Sequence, residues 1–288
     1  MQDTLERFIF DDAPVRGEIV QLDATYKEVL ARHDYPPVLQ KRIGELMTAA
    51  TLLSATLKFD GTLIMQLHGD GAVKLLVVEV TSKMTMRAMA RWDGDVPEAS
   101  LGELLGKGKF IITLDPTEGE PYQGIVGFEP GQSVAEIIEH YMASSEQLET
   151  RLWLACNADT SAGLLVQKLP AGQGDPDAWE RVQKLSETIT DEELLGLPPQ
   201  DMLYRLFHQE QVRVFEPAKP SFACTCSRER VGGMLEMVGK DEVDGVIAEK
   251  GHVDVTCEFC GKKYEFDAVD VVQLFGGHGT GKAPGVIH

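Results

Sequence analysis

Four of the five cysteines in this 288-residue chain fall in two close pairs, Cys224-Thr225-Cys226 and Cys257-Glu258-Phe259-Cys260, with thirty residues between them. Two such pairs can supply four thiolates to one tetrahedral zinc, whose ligands sit about 2.3 Å from the metal. The second pair has the spacing of a zinc knuckle. Gly261 follows it and can take the positive φ that lets the backbone turn beneath a metal. The first pair is tighter than the separation of about two to four residues usual in structural sites, since only Thr225 intervenes. A Cys-x-Cys pair can also close on itself. Extended residues i and i+2 lie roughly 6.5–7 Å apart at Cα, the upper edge of disulfide reach, so such a bridge would be strained. Strained bridges are the labile, regulatory ones. The spacing therefore leaves open a permanently closed structural zinc ribbon and a zinc site switched by oxidation.

No other group competes for the chemistry. Cys156 stands in the apolar run Leu152-Trp-Leu-Ala-Cys-Asn157 and reads as a buried, inert thiol. His252 precedes Cys257 by five residues, but four thiolates already complete a tetrahedron, so it reads as a surface histidine. Gly276–Lys282 fits the frame of a phosphate loop. Ala283, however, replaces the magnesium-binding hydroxyl and too few residues remain for a following helix, so a flexible tail is expected. No serine or cysteine has a nucleophile-elbow signature. A thioredoxin-type Cys-x-x-Cys belongs beside a βαβ start, whereas Cys257 and Cys260 sit in a predicted hairpin over 253–266. No catalytic residue or organic cofactor is assigned.

Composition narrows the partners. Net charge is −19, from 27 basic against 46 acidic residues. A zinc ribbon that grips phosphate backbones is disfavoured by that balance, and Lys262-Lys263 reads as a solvated hairpin edge. The acidity suits a protein that must stay soluble while exposing apolar surface. No stretch approaches the ~20 apolar residues of a membrane span, and the N-terminus lacks the basic and apolar regions of an export signal. A cytoplasmic location is expected, where thiols stay reduced and grouped cysteines more often bind metal than form bridges.

These thiols must be positioned by an α+β chain. Strands are expected over 5–10, 15–22, 62–68, 73–80, 84–92, 110–114, 122–128, 151–156 and 163–169, with Gly69-Asp70-Gly71 as a hairpin turn. Asp23 is the expected N-cap of a first helix. Leu39, Ile43, Leu46, Met47, Ala50, Leu53 and Leu57 give Pro36–Leu57 helical periodicity, and Ser133 with Glu136 forms a capping box. Hairpins clustered between long helices favour an antiparallel sheet, here an α+β core domain over 1–170. Pro170–Pro176 marks a boundary. In the linker, 171–219, Trp179, Val182, Leu185 and Ile189 make one apolar face, Thr190 and Glu193 a second capping box, and Leu203, Leu206 and Phe207 another short amphipathic helix. A zinc-binding module over 220–275 and a tail over 276–288 complete the chain. A module of that size usually needs a metal or disulfides.

The order of several segments resembles the heat-shock protein 33 family of bacterial redox-regulated chaperones along essentially the whole length. They are His68-Gly-Asp-Gly71, Tyr122-Gln-Gly-Ile-Val126, Ser145-Glu-Gln-Leu148, Gly163–Pro170 and the Cys-x-Cys…Cys-x-x-Cys pair. Tyr141-Met142 departs slightly from the family pattern, and Cys156 is no part of the switch. The resemblance implies one zinc per reduced chain, held by Cys224, Cys226, Cys257 and Cys260. It also implies that oxidation under unfolding conditions releases zinc and forms the disulfides Cys224–Cys226 and Cys257–Cys260. Module and linker then unfold, and a dimerising, ATP-independent holdase results whose partners are unfolded client proteins. A constitutive zinc-ribbon adaptor and a thiol oxidoreductase are the alternatives. Zinc retention under peroxide would mark the first, and catalytic turnover of small disulfides the second.

Overall fold

A computed structural model of the chain describes residues 3–170, 174–175 and 177–276. The phosphate-loop-like segment beyond Gly276, the expected tail and most of the Pro170–Pro176 break lie outside the described residues. The chain divides into two compact units, Met1–Ala223 and Cys224–His288.

In chain order the first unit runs β1 (Thr4–Phe10), β2 (Val15–Leu22), α1 (Ala24–Leu30), α2 (Pro37–Thr56), β3 (Gly61–Gly69), β4 (Val73–Thr81), β5 (Thr85–Trp92), α3 (Leu101–Leu105), β6 (Gly108–Pro116) and β7 (Tyr122–Phe128). It continues with α4 (Val134–Ser144), β8 (Thr150–Cys156), β9 (Ser161–Lys168), α5 (Ala178–Ser186), α6 (Asp191–Gly196), α7 (Pro199–Phe207), β10 (Val212–Val214) and β11 (Ser221–Phe222). The strands form a five-stranded sheet, β10-β1-β2-β9-β8, and a six-stranded sheet, β11-β5-β4-β3-β6-β7. Every pairing is antiparallel except the short β11–β5 contact. The α+β class expected from the hairpin signals is the one found.

Helix α2 packs against β2, β8 and β9 of one sheet and β3, β4 and β5 of the other. Its apolar stripe, Leu39, Ile43, Leu46, Met47, Ala50 and Leu53, is buried, but so are Thr48 and Thr51 on other faces. Their hydroxyls are satisfied locally: Thr48 pairs with Ser161 at 2.6 Å and Thr51 donates to the Met47 carbonyl at 2.7 Å. Gly44 allows the close approach of helix to sheet, since a Cβ there would stand 2.4 Å from the Cys156 sulfur.

The second face of the five-stranded sheet is covered by α5, α6 and α7. Trp179, Val182, Leu194, Leu203, Leu206 and Phe207 bury themselves with Phe8, Phe10, Ile19, Leu164 and Val166 in a core separate from that of α2. The Phe10 and Phe207 rings meet edge-on at 5.1 Å. A buried polar contact fixes the register: Gln21 Nε2 donates to the Leu194 and Leu197 carbonyls at 3.0 and 2.6 Å. Trp179 Nε1 donates to Glu149 at 2.9 Å, and Arg181 pairs with Asp175 and Glu210 at 2.7 Å. The Thr190–Glu193 and Ser133–Glu136 capping boxes both form, as does one at Ser100–Glu103 that the sequence reading passed over.

One local expectation holds in position but not in its bonding, and one needs correction. Asp23 occupies the N-cap of α1, but its carboxylate pairs with Lys27 at 2.9 Å instead of capping. Asp3 takes that role from a distance, accepting the Asp23 and Thr25 N–H groups at 2.5 and 2.8 Å. Met84 was expected to open a strand. It sits instead at φ +58 in the β4–β5 turn, its N–H bonded to the Thr81 carbonyl, and the strand starts at Thr85.

The second unit comprises α8 (Arg228–Val238), α9 (Lys240–Lys250), the hairpin β12 (His252–Thr256) and β13 (Lys263–Asp267), and α10 (Ala268–Gly276). Among the described residues its core is seven buried apolar residues: Val231, Leu235, Val243, Val253, Tyr264, Phe266 and Val271. That is little for a free-standing module.

Candidate metal centre

The two cysteine pairs are shaped by different local devices. In the β12–β13 turn, Cys257 N–H donates to the Lys262 carbonyl at 2.9 Å and Gly261 N–H to the Cys257 carbonyl at 2.8 Å. Gly261 adopts φ +70, the conformation for which a glycine is wanted there. The Cys224–Cys226 segment leads into α8, where the Ser227 side chain accepts the Arg230 N–H at 3.2 Å. Arg230 reaches back to the Thr225 carbonyl and hydroxyl at 3.2 and 2.7 Å, holding the single intervening residue in place. Arg228 braces the other side. It donates to the Glu265 carbonyl, pairs with Asp270, each at 2.7 Å, and lies over the Phe266 ring at 4.3 Å.

The four sulfurs converge. All lie within 4.8 Å of one another, with Cys224 to Cys257 at 3.7 Å and Cys226 to Cys260 at 3.4 Å. Tetrahedral ligands at about 2.3 Å from a zinc would be separated by about 3.8 Å, so the donor set fits that ion in both number and spacing. No disulfide joins any of the four. His252 points elsewhere, to Asp254 at 3.1 Å, and Lys262 lies over the Tyr264 ring at 5.0 Å. Cys156 is buried in the first unit, and burial pushes its thiol up.

Electrostatics separates Cys226 from Cys257 and Cys260. Burial opposes ionisation of Cys226, but hydrogen bonds from the Tyr264 hydroxyl, at 3.1 Å, and from the neighbouring thiols outweigh it and bring Cys226 down to about 7. Burial pushes Cys260 up to about 12 and also raises Cys257. A single thiolate is thus accommodated without help. Four at this spacing require a cation among them.

Comparison with known proteins agrees along the length of the chain. The family model described as Hsp33 protein matches residues 3–267. The chain belongs to the Hsp33 family. Relatives named 33 kDa chaperonin include that of Chromobacterium violaceum, 51% identical over 276 residues covering 95% of this chain and 94% of the relative. Another is that of Neisseria meningitidis serogroup A, 48% identical over 288 residues covering 99% and 95%. The crystal structure of the 33 kDa chaperonin (Hsp33 homolog) from Thermotoga maritima has the same fold, with a TM-score of 0.83 at 21% identity over 95% of this chain and 98% of that one. This Hsp33-family chain carries its four-cysteine group where a metal ion could be held, and no described helix is long and apolar enough to cross a membrane.

Proposed function

We propose that this chain is a redox-regulated holdase that works without nucleotide. Cys224, Cys226, Cys257 and Cys260 hold one zinc in the reduced protein, and their oxidation frees apolar surface that is buried at rest. The observation that carries this reading is the convergence of four thiols in a module with only seven buried apolar residues among those described. Bound there, zinc would supply a four-way crosslink worth on the order of 10–16 kcal/mol, comparable with the ~5–15 kcal/mol stability of a whole domain.

An oxidant of the peroxide class converts the four thiolates to two disulfides. Four electrons pass to two peroxide molecules, which take up four protons from solvent and leave as four waters, and the donor set is lost. Spacing between the sulfurs does not choose the pairing, since all are mutually close. We take Cys224–Cys226 and Cys257–Cys260, as the family resemblance implies. Crossed bridges would close a loop of about thirty residues and stabilise the module by roughly 3–4 kcal/mol, opposing release. In this reading residues 1–170 form the core, 171–219 a latch, 220–275 the switch and 276–288 a tail. Unfolding of the switch destabilises α5–α7, and Trp179, Val182, Leu185, Leu203, Leu206 and Phe207 leave the sheet. Each such side chain is worth about 1.5–3 kcal/mol when buried against a partner. Unfolded proteins in the cytoplasm are the clients, the active species dimerises, and the −19 charge keeps complexes dispersed.

The test is light scattering of a chemically denatured client diluted into either redox form, with zinc and thiols counted in parallel. Oxidised, zinc-free protein should suppress scattering without nucleotide and the reduced form should not. Equal scattering with both forms, after confirmed zinc loss from one, would reduce the zinc to a structural role and end the holdase reading.

A further inference from the structure

Sheet edges expose unpaired backbone N–H and C=O groups, and proteins guard them with charge, brevity or cover. Five of the six strand edges described here are guarded. On β8, the Glu139 carboxylate accepts the Leu152 N–H at 2.7 Å and pairs with Arg151 at 3.0 Å. Strand β10 is three residues long and carries Arg213, paired with Asp11 at 2.5 Å. Strand β11 is two residues long, with the Arg32 guanidinium 4.7 Å from the Phe222 ring. Strands β12 and β13 carry His252 and Asp254, and Lys263, Glu265 and Asp267.

Strand β7 is the exception. It spans seven residues, Tyr-Gln-Gly-Ile-Val-Gly-Phe, without a charge, and pairs with β6 from Tyr122 to Phe128 with no bulge. It ends the six-stranded sheet, and among the described residues no hydrogen bond reaches its backbone from outside that pairing. Ile125 is 55% exposed and Tyr122 49%. The strand is held firmly from behind. Gly124 lies against the Tyr141 ring, where a Cβ would be 2.4 Å from the hydroxyl, and Tyr122 and Tyr141 both donate to Glu146, at 3.2 and 2.5 Å. Exposed acids bracket it: Glu118 and Glu120 before, Glu129 after.

We propose that β7 is a β-augmentation site that takes up an extended, uncharged segment of a partner chain flanked by lysine or arginine. The backbone edge supplies the pairing, Ile125 the side-chain contact, and the acidic bracket the preference for basic flanks. The same bracket argues against a second copy as occupant, because antiparallel β7–β7 pairing would set Glu118 and Glu120 of one copy against Glu129 of the other. Only the identity of the partner as an unfolded client rests on the holdase reading; the contact itself needs no oxidation.

The probe is therefore a short fluorescent peptide of alternating valine and threonine with a lysine pair at each end, titrated by anisotropy into the reduced, zinc-loaded full chain. Saturable binding is expected. Methylating alternate backbone nitrogens of the peptide, or Ile125→Lys in the protein, should each weaken it at least about fivefold, and glutamate ends should weaken it further, with thermal unfolding unchanged. No saturable binding, or equal affinity for the methylated peptide or the Ile125→Lys protein, would overturn the proposal. So would a concentration-dependent dimer dispersed by Ile125→Lys without peptide binding, which would give the edge to a second copy. Redox-dependent suppression of scattering surviving any of these results would leave the holdase reading intact.

Discussion

At Cys226, burial and hydrogen bonding pull in opposite directions, and the Tyr264 hydroxyl helps it ionise more readily than Cys257 or Cys260. The thiolate is both metal ligand and nucleophile, so the residue best prepared to bind is also the one best prepared to react. Serine at any of Cys224, Cys226, Cys257 or Cys260 should weaken zinc binding sharply, because three donors cannot complete the tetrahedron. Cys156→Ser, in the other unit and buried beside Tyr26 and Ser161, should leave it unchanged. Zinc content by absorbance of a released-metal indicator is the measurement. Full occupancy in a Cys257→Ser, Cys260→Ser double variant would remove these residues from the site.

Among the elements, α5–α7 join two devices on one surface: apolar contact with the five-stranded sheet and the Gln21 amide holding two carbonyls at the end of α6. None of the three helices is long enough to stand alone. Gln21→Ala would leave the Leu194 and Leu197 carbonyls without that donor, a loss of about 1–3 kcal/mol. Leu206→Asp would place a charge in the core between helix and sheet, at a penalty on the order of several kcal/mol. Both variants should bind zinc normally yet activate at lower temperature or oxidant dose, Leu206→Asp the more strongly. An unchanged activation threshold in Leu206→Asp would mean that these helices are not the latch.

For the molecule as a whole, stability should depend on pH through a carboxyl of the first unit, outside the unit that holds the four thiols. Glu18 is buried on β2, and desolvation pushes it up to about 8 against the pull of Arg16 and Arg7. The folded chain therefore holds a proton that the unfolded chain gives up near pH 4.5. Between that value and about 8, stability falls as pH rises, by up to about 1.4 kcal/mol per pH unit. All three tryptophans, Trp92, Trp153 and Trp179, lie in the first unit, so their fluorescence follows its urea unfolding separately from that of the zinc module. The midpoint should be higher at pH 5.5 than at pH 7.5, two values that bracket roughly neutral conditions within this window. In Glu18→Gln the difference should shrink and the pH 7.5 midpoint rise. Identical pH dependence in the variant would exonerate Glu18.

Local chemistry was legible from the sequence because its causes are local. The knuckle spacing and Gly261, the Ser133 and Thr190 capping boxes, and the alternation of Leu63, Met65 and Leu67 in β3 each depend on residues a few positions apart. The α+β class followed from the density of hairpins. Other features depended on chain segments meeting across long separations. Asp3 caps α1, Gln21 fastens α6, and Thr48 and Thr51 are buried in an apparently amphipathic helix because two sheets flank it. The helices α8–α10 were not among the expected elements, although Val231 and Leu235, Val243, Val246 and Ile247, and Val271, Leu274 and Phe275 recur at three- and four-residue intervals and pack into one core. Which strand ends a sheet is likewise invisible in its own residues: β7 reads like any other strand, and only the order of its neighbours leaves its backbone unpaired. Four cysteines in two pairs could announce a metal ligand set. That their sulfurs stand within 4.8 Å of one another was decided by Arg228, Arg230 and the β12–β13 turn, which bring the ends of a thirty-residue loop together through contacts that no short-range pattern encodes.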